Sequence, residues 1–131
     1  MATTAKLTLT SADLLSDALS LEVTSTLYKA GASTDIALST GLARYSSGST
    51  SYVKLLEADD YTSTKADKIY IKNTSTTRTD YVDIGVGNAG TVTLGRLYGG
   101  EWALIPWSSD ADFGVIQSST SLVLEWMLFY E

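Results

Sequence analysis

The chain contains no histidine and no cysteine, and only one proline and two methionines. The two zeros exclude whole chemistries. Without cysteine there is no disulfide framework, no thiolate zinc site and no sulfur nucleophile. Without histidine there is no imidazole to act as general base or to hold a haem or a metal. The His-dependent triads of serine and cysteine hydrolases go with them. Positive charge is scarce too. Nine Lys and Arg stand against fifteen Asp and Glu, for a formal charge of −6 and a pI near 4.5. Nucleic acid and anionic membrane both require a basic patch, so neither is an expected partner. Long apolar runs are also missing. The longest, residues 126–130, falls far short of the roughly 20 residues of a membrane span. The opening MATTAKLTLT lacks the apolar stretch of a signal peptide, so no targeting segment is expected.

What the chain does have points to strands. Thr occurs 18 times and Ser 17 times, with 8 Tyr, 3 Trp and 10 Gly. Thr and the aromatics suit a pleated surface, while Ser and Gly suit the turns between strands. At 131 residues and 44% apolar content, a single domain spanning 1–131 is expected, long enough to bury a core without staples.

Alternation of apolar and polar residues recurs along the chain and predicts strands. It begins weakly at residues 6–10, with Leu7 and Leu9 on one side. Residues 11–15 read either as a helical turn capped by Ser11 or as a loop. Residues 19–29 alternate clearly, with Leu19, Leu21, Val23 and Leu27 on the face expected to be buried. Residues 35–45 read as a strand broken near Gly41. The polar tract 46–51 and the segment 73–79 read as loop tips facing solvent. Further strands are predicted at 52–56, 68–72, 81–86, 91–97, 102–107, 113–117 and 122–130. Acidic or Gly-rich turns separate them at 57–60, 87–90, 98–101 and 108–112. Eight to ten short strands at spacings of about ten residues predict an all-β sandwich, jelly-roll-like in topology.

Candidate chemistry resolves mostly into turns. Glycosidases need two carboxylates, and Asp59 with Asp60, Asp80 with Asp83, and Asp110 with Asp112 are the pairs on offer. Asp in turns bonds its own backbone, which accounts for them without catalysis. Asp110 and Asp112 could supply oxygens to calcium, but a lone Asp-x-Asp in a loop does not make a site. Residues 85–90 spell G-V-G-N-A-G, the letters of a dinucleotide fingerprint. That motif needs a helix after it, and here the β-branched Thr91-Val92-Thr93 follows. No enzyme activity, no cofactor and no metal is expected. The three Trp and several Tyr serve either as core and interface residues or as a sugar-stacking platform.

The last strand carries the strongest signal. Leu122, Leu124, Trp126 and Leu128 share one face. Val123, Met127 and Phe129 share the other. A sandwich strand has one face for its core, so the second calls for a cover. Trp126, Met127, Phe129 and Tyr130 are therefore the expected oligomer or partner interface, in a homo-oligomer. The alternative is that residues 127–131 pack beneath a loop of the same chain.

The segment GRLYGGEWALIPW (95–107), the strand KIYIKNTS (68–75) and the ending LEWMLFYE (124–131) resemble small structural proteins of tailed bacteriophages, the capsid decoration (cement) or fibre-type proteins. The resemblance implies a trimeric β-sandwich or jelly roll on the capsid surface. Its partners would be the major capsid protein and further copies of itself, and it would stabilise the head by bridging capsomers. A tail-fibre or receptor- and carbohydrate-binding module of the virion is the alternative. The resemblance brings no catalytic residues with it.

Overall fold

The computed structural model describes residues 2–14, 17–89 and 92–131. Eleven strands run through them: β1 (Thr4–Ser11), β2 (Leu19–Thr26), β3 (Leu38–Ser39), β4 (Ala43–Tyr45), β5 (Val53–Leu56), β6 (Asp67–Asn73), β7 (Tyr81–Val86), β8 (Val92–Tyr98), β9 (Trp102–Trp107), β10 (Phe113–Gln117) and β11 (Leu124–Tyr130). The acidic turn carries a short 3-10 turn at Ala58–Asp60. The helical-turn reading of 11–15 reaches into residues outside those described. So does the end of the G-V-G-N-A-G turn at Gly90. The segment after that turn is strand β8, which removes the dinucleotide reading.

Strands β4 to β11 form the sandwich. One sheet has the order β5-β10-β7-β8 and the other the order β4-β11-β6-β9, with every pairing antiparallel. Strand 4 thus pairs with 11, 5 with 10, 6 with 9 and 7 with 8. That is one long hairpin rolled up on itself, the jelly-roll topology. β3 and β4 both pair with β11, at Phe129–Tyr130 and at Leu124–Trp126 respectively. They are two halves of one strand, interrupted at Gly41, whose φ of +75° suits glycine. Thr40 bridges the interruption. Its N–H donates to the Leu128 carbonyl and its hydroxyl oxygen accepts the Leu128 N–H. The break expected near Gly41 is therefore present.

The core lies between the two sheets and follows the period-2 pattern. Ile69 and Ile71 of β6, Val82 and Ile84 of β7, Phe113 and Val115 of β10, and Leu124 and Leu128 of β11 all point into it. Burying each such side chain contributes roughly 1.5–3 kcal/mol. The only proline, Pro106, lies exposed on β9 opposite Lys68. Among the described residues β9 pairs on one side only, so the missing N–H costs no ladder bond and blunts the edge.

The turn between β8 and β9 is tied to the 73–80 loop. Gly99 is buried, and a Cβ there would collide with the carbonyl oxygens of Thr77 and Ser75. Gly99→Ala is expected to lower stability by about 1–3 kcal/mol, as overpacking against backbone does. Denaturant unfolding that gave parent-like stability would show that the loop yields freely. The two predicted loop tips are anchored by polar groups at their bases. The Ser47 N–H donates to Oε1 of buried Gln117 at 2.8 Å. The 73–79 loop is exposed from residue 76 to 79 and rooted in fully buried Asn73.

The N-terminal third departs from expectation. β1 and β2 pair with each other in unbroken register from Thr4↔Thr26 to Ser11↔Leu19 and join neither main sheet. Leu19, Leu21 and Val23, expected on a buried face, are exposed, and of that set only Leu27 is buried. Alternation marks a face as apolar but does not say what will cover it.

Candidate functional site

Four of the six candidate carboxylates are engaged one by one. Asp83 accepts two bonds from the Arg96 guanidinium, at 2.7 and 3.0 Å, and that guanidinium lies 3.7 Å over the Tyr81 ring. Asp80 accepts from the Ser75 hydroxyl, and Asp110 from the Thr64 N–H. Asp112 accepts the Ala58 N–H at 2.8 Å and pairs with Lys54 at 2.9 Å. Asp110 and Asp112 share an open hollow with Lys54 and Asp59. Among the described residues, no group of three acidic side chains is placed to hold a metal ion.

Two of these carboxylates respond to pH with opposite sign. The Ala58 N–H, and after it the Lys54 ammonium, hold the Asp112 carboxyl below the usual carboxylate range. Its stabilisation is complete above the unfolded value of about 3.9 and fades as the pH falls through the lower folded value. Burial pushes the carboxyl of Asp67 up, although the Ser109 hydroxyl and the Glu131 N–H both donate to it. Ionising Asp67 therefore costs stability as the pH rises from about 3.9 through its raised folded value. Asp112→Asn is expected to unfold at a lower temperature than the parent at about pH 7, and the two should converge towards about pH 2. A gap that stayed constant in calorimetry across that range would refute the assignment.

The aromatics divide. Trp107 is buried, donates its indole N–H to the Ala111 carbonyl and meets Tyr61 edge-on. Tyr61 meets Tyr130 in the same way. Trp126 packs against the core. Of the three Trp, only Trp102 is exposed, at 53%. A stacking platform built from several Trp is therefore not assembled.

The C-terminal strand has the two faces that its alternation indicates. Leu124, Trp126, Leu128 and Tyr130 face the core. Trp126 and Tyr130 are thus committed to the protein's own interior and do not lie on the outer face. Met127 and Phe129 do face outwards, half-buried in a hollow shared with Thr3 and residues 36–39. That segment is held together by the Leu27 N–H on the Thr3 carbonyl and the Ile36 N–H on the Leu27 carbonyl, with Leu27 and Ile36 themselves buried. A stretch of the same chain therefore supplies part of the cover that the outer face required.

The large uncovered apolar surface lies on the β1–β2 ribbon. Residues opposite each other in an antiparallel pair share a face, so Leu7 with Val23 and Leu9 with Leu21 line one side, joined by Leu19. All five are exposed, between 36% and 50%. The opposite side carries Lys6, Thr8, Thr10, Glu22 and Thr24, with Lys6 and Glu22 paired at 3.1 Å. At its base the ribbon passes over the outer face of β9. There Ala5, Leu7, Val23, Trp102 and Leu104 line a cleft of about 260 Å³. Comparison of the chain with family models, with curated proteins and with solved structures finds no match.

Proposed function

We propose that the chain is a structural protein that acts by docking: a virion protein of the capsid-decoration type that its sequence resembles, seated on the major capsid protein at the capsid surface and stabilising the head by bridging capsomers. The observation that carries this is the β1–β2 ribbon, which presents five aliphatic side chains to solvent. Exposed apolar patches of this kind mark interaction surfaces. The rest of the molecule is consistent with such work. A jelly roll is used by viral capsid proteins as well as by lectins, and the fold alone does not choose between them; the exposed ribbon supports the docking reading. A charge of −6 keeps the free protein soluble before it docks. Exposed Trp102 beside the 260 Å³ cleft favours a second reading, a fibre or carbohydrate-binding module of the virion.

Counting copies on purified particles tests the proposal. Hundreds per particle are expected for decoration. A few to tens would favour the fibre reading, and none would remove both.

A further inference from the structure

We propose that the β1–β2 ribbon is a self-association arm whose aliphatic face docks on the same face of a second copy of this chain. Resting on the docking role proposed above, this gives the ribbon face, through Leu7, Leu9, Leu19, Leu21 and Val23 with Trp102 at the base, to a second copy, so that the oligomer and not the single chain is what seats on the capsid.

The ribbon is well formed yet has little of its own chain to pack on. A two-stranded hairpin alone is marginally stable in water at best. Here eight residues on each strand stay paired without a register shift, while contacts to the sandwich strands are marginal. Where the base does cross β9, the surfaces stay apart and leave the 260 Å³ cleft. Protein interiors close to near-crystalline density, so the ribbon's apolar side is not satisfied by its own sheet.

The chemistry of the face fits a copy of itself. Its large side chains are all aliphatic. The charges of the two strands, Lys6 and Glu22, lie on the other side and neutralise each other. Two such faces can therefore meet without burying an unpaired charge. The contact also avoids opposing like charges, although each copy is acidic overall. A foreign partner would need an apolar surface of its own to match. A second copy already carries one, and a reciprocal contact between identical patches is the usual way that oligomers close.

The area is of the right size. The exposed parts of the five aliphatics and Trp102 amount to on the order of 500 Å², near the upper limit for one patch on a monomer. Two such faces in reciprocal contact would bury on the order of 1,000 Å² in total, the lower bound for a specific interface.

Sedimentation of the isolated full-length chain tests the arm. The parent is expected to sediment as an oligomer. Leu9→Asp with Leu21→Asp should weaken association by more than about tenfold while leaving the far-UV spectrum and the thermal transition of the sandwich in place. Leu94→Asp, at an equally exposed aliphatic on β8, should leave the oligomer intact. If the double variant does not fold, Leu21→Lys alone serves the same comparison. A monomeric parent overturns the proposal. A parent that stays associated with both ribbon leucines replaced, or that dissociates with Leu94→Asp instead, also overturns it. A monomeric parent whose ribbon variant no longer binds particles would assign the face to the capsid. Particle counts test the decoration role separately, and a low count would leave the sedimentation result standing.

Discussion

Phe113→Ala is expected to cost about 3–5 kcal/mol, the usual range for removing a fully buried aromatic ring. Phe113 sits on β10 between Leu56 of β5 and Val86 of β7 and is 0% exposed. Its ring faces the centre of the sandwich, where neighbouring side chains cannot collapse far enough to fill the space. For a domain of this size each kcal/mol lowers the midpoint by a few degrees, so the transition should fall by more than about 10 °C. The contrasting variant is Leu21→Ala on the ribbon. Leu21 is also an apolar residue on a strand, but it is 42% exposed, so the change should move the stability of the monomer by no more than about 0.5 kcal/mol. Calorimetry under dilute, dissociating conditions separates the two. A loss below about 1 kcal/mol for Phe113→Ala would mean that the interior is not packed where the sheets place it.

The second large effect is at Asn73. This side chain is fully buried at the end of β6. Its amide nitrogen donates to the Asp80 carbonyl at 3.2 Å and to the Leu97 carbonyl at 3.0 Å, and its oxygen accepts the Ser75 N–H at 3.0 Å. Its backbone bonds to Glu101 and Gly100. One residue thus joins the 73–80 loop, β8 and the β8–β9 turn. Asn73→Ala removes all three side-chain bonds to these backbone groups. A buried group left short of a partner costs about 1–3 kcal/mol, so a total loss of about 3 kcal/mol or more is expected. Asn73→Asp should be no better. It keeps the acceptor, loses both donors and puts an unpaired charge in the interior. Hydrogen exchange locates the damage: amides of residues 73–80 and 99–101 should lose protection before those of β10. Parent-like stability in Asn73→Ala would mean that water replaces the side chain at no cost.

Several features were legible because their cause is local. The strands from residue 52 onwards follow from alternation and turn residues, and their inner faces, such as Ile69 with Ile71 and Val82 with Ile84, match the pattern residue by residue. The break at Gly41 and the turn at residues 98–101 were legible for the same reason, since glycine marks where the backbone must leave the extended region. The turn placement of Asp59 with Asp60 and of Asp110 with Asp112 also carried through, whereas Asp83 lies within β7 and is held by Arg96.

The surface features divided differently. By itself the sequence determined that the last strand has two apolar faces, that an amphipathic pair of strands opens the chain, and that no histidine or cysteine chemistry is possible. Only the tertiary structure decided which apolar face goes without a cover. The 27–39 segment folds back near Met127 and Phe129 through bonds between Thr3, Leu27 and Ile36, residues at least 88 positions from β11 in the chain. β1 and β2 pair only with each other, so the leucines that alternation marks for burial face solvent. Period 2 records a preference for leaving water. The partner that satisfies it is set by long-range pairing, which no local pattern encodes.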